Sequence, residues 1–264
     1  MLDGAKEQQV WFKYLALDSE MLGFKTAKLL IEDERSMNRL TGYLDCLIER
    51  NFELVYWRVA VDDMLANDVA QACHGQQYGQ QVTMICPDMS SLLVGSQNLT
   101  NSKIVIRDLA PTESKMSELY RLADRLLEYS HLALDARLPK TGVREIYRRW
   151  LFNSVRGYAA RRVLVAEYLG RAVGFITFSW PQAVETGKIG CGDIGLLAVA
   201  QDMQGQHLGS ALLDQALLAL AKQRCCQVKL TTQTTNNRAL NLYLSRHFKA
   251  VAYHNYYHFH LCSS

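Results

Sequence analysis

Residues 194–213, IGLLAVAQDMQGQHLGSALL, constrain the chain more than any other stretch. Ile194 to Ala200 is an apolar run of strand length. Gln201 to Gly209 is polar and holds two glycines. From Ser210 onward, Ala211, Leu212, Leu213, Ala216, Leu217, Leu220 and Ala221 recur at helical spacing. The stretch therefore reads as strand, glycine loop and helix. In that geometry the unpaired N–H groups of the loop and of the helix's first turn converge, and the helix dipole adds positive potential, so the junction suits an anion such as a phosphate. Neither the G-x-G-x-x-G pattern nor the G-K-[ST] of a P-loop is present.

The loop Gln204-Gly205-Gln206-His207-Leu208-Gly209 resembles the Q/R-x-x-G-x-G/A loop of the GNAT family of acetyl-CoA-dependent N-acyltransferases. His207 stands where that family usually has its first glycine, which implies either a different backbone angle or a side chain turned to solvent. A second segment, VKLTTQTTNNRALNLYLSRHF (228–248), strengthens the resemblance. Its first part is β-rich, and Asn236 is a natural N-cap for the helix that follows. Asn236, Ala239 and Tyr243 match the family's N-x-x-A-x-x-x-Y, with His247-Phe248 where glycine usually precedes the aromatic.

The resemblance implies an α/β (α+β) fold with a central mixed, mostly antiparallel sheet flanked by helices. It implies that the amides of Gln204, Gly205, Gln206, His207, Leu208, Gly209 and Ser210 hold the pyrophosphate of coenzyme A, and that Asn236 also belongs to the cofactor site. It further implies a V between the fourth and fifth core strands, where the main chain of Leu197, Ala198 and Val199 pairs with the pantetheine and the acetyl carbonyl. Tyr243 would then sit near the sulfur.

Composition narrows the rest. The 264 residues suffice for one large or two small domains. A net charge of +3 with no Lys/Arg block argues against nucleic acid. No apolar run reaches membrane-spanning length, and MLDGAKEQQV does not read as an export signal. Seven cysteines, an odd number without a C-x-x-C pair, suit reduced thiols in the cytoplasm and no metal site.

In chain order, residues 1–100 read as a smaller accessory α/β domain, with strands near 25–31, 52–59 and 81–85 and a helix over 36–51. The turn-rich 88–102 marks a boundary. Residues 101–264 then supply the acetyltransferase order: a strand at 104–106, helices over 114–129 and 143–155, a hairpin of 162–167 with 173–179, the stretch described first, the Asn236 strand and helix, and a terminal hairpin over 249–261.

Acetyl transfer needs a neutral amine, a donor aimed at the developing oxyanion, and a proton for the leaving thiolate. Tyr243, with an ordinary hydroxyl pKa of about 10, is the candidate acid; the alternative is a core tyrosine. Asp193, Glu185, His258 or a chain of waters supplies the base. A finer resemblance covers 130–157, 231–248, the closing YYHFHL and Asp18 with Leu22-Gly23-Phe24. These segments are similar to the dTDP-fucosamine acetyltransferase subgroup, although Met21-Leu22 replaces its paired phenylalanines. That resemblance implies a dTDP-linked 4-amino-4,6-dideoxy sugar as acceptor and a homodimer. His131, Asp135 and Arg137 would hold the sugar; Tyr257 and His258, with Tyr256, would form a wall or else pack a strand; and Arg137, Arg144, Arg148 and Arg149 would face the phosphates or else make a solvated helix face. Between Ser130 and Arg149, five basic residues stand against Asp135 and Glu145, which favours an anionic acceptor over a polyamine or aminoglycoside. The alternatives are another small-molecule or peptide amine, and a non-catalytic acyl-CoA sensor, for which His207 speaks and Asn236 and Tyr243 do not.

Overall fold

The computed structural model describes residues 11–87, 103–110, 115–181 and 190–261. Their strands are β1 (Phe12–Tyr14), β2 (Lys25–Leu29), β3 (Phe52–Ala60), β4 (Gln76–Cys86), β5 (Ile104–Asp108), β6 (Arg162–Tyr168), β7 (Arg171–Ser179), β8 (Gly190–Val199), β9 (Cys225–Gln233) and β10 (Lys249–His260). They join one sheet in the order β1-β2-β3-β10-β4-β9-β8-β7-β6-β5. Only β2–β3 and β8–β9 run parallel, so the sheet is mixed and mostly antiparallel, as expected. The helices are α1 (Ala16–Leu22), α2 (Glu34–Met37), α3 (Leu40–Glu49), α4 (Met64–Ala72), α5 (Met116–Ala123), α6 (His131–Leu134), α7 (Lys140–Val155), α8 (Leu208–Lys222) and α9 (Asn237–Leu244).

Local chemistry explains several joints. Leu169 and Gly170 both take positive φ (50° and 80°), the two-residue turn that suits the twist of the β6–β7 hairpin. The helix expected over 36–51 is broken into α2, capped by the Asp33 side chain on the Ser36 amide, and α3. The helix expected over 114–129 ends at Ala123 and tightens into a 3-10 stretch, Asp124–Tyr129.

The terminal hairpin is corrected to one strand. β10 runs unbroken for 12 residues because no glycine, proline or Asn-Gly pair interrupts its alternation. It lies between β3 and β4, and the strand beside β9 is β4. Strands from the first hundred residues and from the remainder therefore interleave. The stretch 88–102, expected to hold the boundary, lies outside the described residues.

Three apolar clusters hold the helices to this sheet. The largest joins α5, α7 and α8 to β5–β9 through side chains such as Leu119, Leu151, Phe175, Leu212 and Leu230. A second packs α2, α3 and α4 on β2, β3 and β10 around Trp57 and Tyr257. The third gathers Leu22, Leu54, Tyr56, Leu132, Val143 and Ile146 between α1, α6, α7 and β3. Here α1 and α7 touch backbone to side: a Cβ on Gly142 would lie 2.3 Å from the carbonyl oxygen of Met21.

Candidate active site

The parallel pairing of β8 with β9 stops at Ile194 and Leu230. Beyond that point β8 follows β7 as far as Val199, paired with Gly174, and β9 follows β4 as far as Gln233, paired with Gln81. The two strands part, and the expected V opens between them. The N–H of Ala200 bonds the carbonyl of Val173 (2.8 Å), and that of Leu196 bonds Thr177 Oγ1 (2.8 Å), both on the β7 side. Strand alternation then turns the N–H groups of Leu197 and Val199 into the opening and that of Ala198 toward β7. Gly195 makes this possible, since a Cβ there would lie 2.8 Å from Thr177 Oγ1.

The loop after β8 leads into α8, whose first turn (Leu208, Gly209, Ser210) carries N–H groups without intrahelical partners. His207 is its N-cap, at φ 58°, ψ 13°. The histidine therefore adopts the left-handed conformation in which glycine is at ease, and the turn survives its replacement. Gly205 also has positive φ, 77°. A Cβ on Gly209 would sit 3.5 Å from Leu242 Cδ2 and 3.8 Å from Val199 Cγ2, so the start of α8, the end of β8 and α9 meet there. Arg238 of α9 donates to Gln204 Oε1, and the Gln206 side chain donates to the Asp202 carbonyl (3.3 Å).

Asn236 caps α9 as expected, its Oδ1 accepting from the Ala239 amide at 3.2 Å, so that oxygen is committed to the helix. Tyr243 lies one turn further on, buried beside Phe248 at 5.8 Å between ring centres. Burial pushes its hydroxyl pKa up to about 12. Among the candidate bases, half-exposed Asp193 sits where β8 and β9 are still paired, 3.8 Å from Lys229. Glu185 lies outside the described residues.

A second group forms where α6 meets β10. Asp135 Oδ2 accepts from His258 Nδ1 (2.8 Å) and His260 Nε2 (2.6 Å); its Oδ1 accepts from the Arg137 amide (3.1 Å) and guanidinium (3.4 Å). His258 Nε2 lies 2.8 Å from His131 Nδ1. Burial pushes the Asp135 carboxyl up, but the hydrogen bonds from His258 and His260 outweigh it and hold the group below the usual carboxylate range. Burial pushes His258 down against the pull of Asp135, and pushes His131 well down, helped by His258 and Lys28. The contacts are at hydrogen-bond lengths, and both imidazoles converge on one carboxylate oxygen.

His131 stacks on Tyr256 (4.0 Å, 25°) and meets Tyr56 edge-on (5.5 Å). A Cβ on Gly79 would lie 4.0 Å from His131 Cβ and 3.3 Å from the side-chain oxygen of Gln233, the last residue of β9. The cluster is thus beside the mouth of the V.

Of the expected acceptor residues, His131, Asp135, Arg137 and His258 are brought together. Tyr257 is not: alternation sends it to the other face, into the Trp57 cluster, with its hydroxyl donating to Asn67 Oδ1 (2.9 Å). The expected arginine cluster is also corrected. Arg148 bonds both carboxylate oxygens of Asp124 and pairs with Glu145, Arg144 lies 3.9 Å from Asp124, and Arg149 sits over the Phe152 ring. Arg148 is thus engaged by Asp124 and Glu145, while Arg144 and Arg149 lie on the exposed face of α7. Sequence reading passed over His260 and Tyr56. The i, i+2, i+4 spacing of Tyr256, His258 and His260 already puts His260 on the right face.

Residues 120–248 match the family model for the acetyltransferase (GNAT) family. None of the curated proteins matches the sequence. A functionally unknown conserved protein from Staphylococcus epidermidis ATCC 12228 is similar over 99% of this chain and 96% of its own, with a TM-score of 0.63 at 13% identity. A GCN5-related N-acetyltransferase from Sphaerobacter thermophilus covers 94% of this chain and 75% of its own, with a TM-score of 0.62 at 14% identity. A tandem GNAT protein from the clavulanic acid biosynthesis pathway covers 89% and 74%, with a TM-score of 0.60 at 15% identity. At these identities the likeness is one of fold. With the divergent β8–β9 pair and the loop into α8, residues 120–248 make up an acetyltransferase domain of the GNAT family.

Proposed function

We propose that the protein transfers the acetyl group of acetyl-CoA to the amine of a sugar, and that this sugar is nucleotide-linked, a dTDP-bound 4-amino-4,6-dideoxy sugar. The observation that carries this reading is the cluster beside the V. It gathers Tyr56, Tyr78, Tyr256 and imidazoles, and Asp135 is already satisfied by four hydrogen bonds. Rings suit the apolar face of a deoxy sugar, and a carboxylate so engaged offers little to a polycation. Half-exposed Arg137, bonded to Gln76 Oε1 (2.8 Å) and the Tyr78 hydroxyl (3.1 Å), is a cation at the edge of the cluster that suits a phosphate. The subgroup resemblance adds a homodimer, and the cysteine usage adds a cytoplasmic site of action.

The N–H groups of Leu197 and Val199 receive the pantetheine and the thioester carbonyl, and the amides of 204–210 receive the pyrophosphate. The neutral amine attacks the thioester carbon from the side of that cluster. The C–N bond forms from the nitrogen lone pair, and the C–S bond breaks with its pair on sulfur. Tyr243 meets the developing thiolate as a hydrogen-bond donor. His207 keeps the glycine-like angle, which supports a working loop and removes the main argument for a sensor.

The test is thiol release from acetyl-CoA with a panel of dTDP- and UDP-linked 4-amino sugars, with spermidine and a basic peptide as controls. Turnover confined to a nucleotide sugar is expected. Turnover of spermidine or the peptide alone would overturn the acceptor assignment. No turnover at all, with acetyl-CoA bound, would overturn the enzyme reading.

A further inference from the structure

The hydrogen bonds of the buried cluster have a direction. The Asp135 carboxylate holds no proton, so it accepts from Nδ1–H of His258. A neutral His258 then offers a lone pair at Nε2, and the partner there, His131 Nδ1, must be the donor. That fixes His131 in the Nδ1–H form and leaves its Nε2 as a lone pair. His260 donates Nε2–H to the same Asp135 oxygen and holds the carboxylate from the other side. Asp135 and His258 are fully buried at their side chains, whereas His131 is half-buried.

We infer that His131 is the base that takes the proton from the acceptor ammonium, with His258 and Asp135 as positioning residues that fix its tautomer and share its charge. This rests on the acetyl-transfer reading. A second observation at the same cluster points to a ligand. The Tyr56 hydroxyl is buried on a residue 3% exposed and has no hydrogen-bond partner, and its ring packs on both His131 and His258. An acceptor amine or sugar hydroxyl is the group it lacks.

The groups around His131 set its charge. His258 and Tyr256 face it from β10, Tyr56 from β3 and Lys28 from β2, and Asp135 and Arg137 follow α6. Asp18 of α1 and Tyr147 of α7 act on Tyr56 and Tyr256. Burial, with His258 and Lys28, keeps His131 neutral in neutral solution against the pull of Asp135. The proton account closes. His131 removes one proton from the ammonium and later returns it to solvent. The second is lost from nitrogen as the C–N bond forms, and it ends on the CoA sulfur through Tyr243.

Two measurements test this, and they fail separately from the function. The first is 15N NMR of the histidine rings in the full chain near neutral pH, with His131 assigned by its loss in His131→Gln. Neutral Nδ1–H forms are expected for His131 and His258. An Nε2–H form or a protonated ring at either residue would overturn the relay, whatever the enzyme acetylates. The second is the rate against pH with the amine that wild type turns over from the nucleotide-sugar panel. His131→Gln is expected to lose on the order of 10²-fold or more in kcat/KM and to abolish the acidic limb, whose midpoint lies below 6.5 in wild type. Asp135→Asn is expected to shift that limb with little change in the KM for acetyl-CoA. An unchanged kcat/KM in His131→Gln would overturn the base assignment, and so would loss of activity on chelation that zinc restores. If Asp135→Asn fails to fold, His258→Gln replaces it with the same expected limb shift.

Discussion

Burial sets the chemistry of the single residues that matter most. Tyr243 holds its proton more firmly than an exposed tyrosine and so keeps its O–H across the whole neutral range, as the proposed donor to the sulfur requires. His207 carries a different strain. An L-residue in the left-handed region costs roughly 1–2 kcal/mol, least for glycine and most for a β-branched side chain. His207→Val is expected to lower stability by about 1–2 kcal/mol and weaken acetyl-CoA binding, and His207→Gly to do neither; urea melts with and without acetyl-CoA check this. At Asp18, burial raises the pKa from 3.8 to about 6, so the folded chain binds that proton more tightly than the unfolded one. Its stability contribution is present below about pH 4 and is lost as pH rises to about 6, at a cost of up to roughly 3 kcal/mol. Asp18→Asn is therefore expected to raise Tm in neutral solution and to leave it unchanged near pH 4. At this scale the sequence told Asn236 from its neighbours because a cap is a local device, satisfied three residues on. It could not give the angle of His207 or the depth of Tyr243, which depend on what packs around them.

Elements place these residues by parting or by close approach. The V exists because β8 keeps β7 and β9 keeps β4 after their mutual pairing ends, with Gly195 letting Thr177 bond the β8 backbone. Strand and helix identities over 162–222 were legible because period-2 and period-3.6 patterns are strong there. Partner choice was not, since a strand's sequence names its faces and leaves its neighbours open. At the α1–α7 crossing, a methyl group on Gly142 has only backbone to push against. Gly142→Ala is expected to destabilise by ~1–3 kcal/mol in denaturant melts, and Gly142→Val by more. Because α7 packs with α6 over Tyr56 and Tyr256, the same change is expected to raise the acceptor KM more than the acetyl-CoA KM.

The whole molecule is held by its last strand. β10 separates β3 from β4 and presents Tyr256, His258 and His260 on one face, while Tyr257 and Phe259 close the apolar cluster on the other. Deleting residues 249–264 leaves β3 and β4 without a shared neighbour. The truncated chain is expected to lose the cooperative transition of the first hundred residues, seen as loss of near-UV circular dichroism, while a full chain carrying only Tyr257→Phe keeps it. Reading in chain order hid this arrangement, because a strand's insertion among distant partners is a long-range fact that no local pattern carries. Family motifs fared better, since each reports one local geometry that survives in any sheet.

The most direct test compares wild type with Tyr243→Phe in thiol release from acetyl-CoA, using the amine that wild type turns over and measuring acetyl-CoA affinity in parallel. The expected result is a kcat lower by about 10²-fold with an unchanged Kd for acetyl-CoA, the mark of a donor that acts only as the thiolate departs. An unchanged kcat in Tyr243→Phe would contradict the proton-donor role, and no thiol release by wild type with any amine would contradict acetyl transfer at this site.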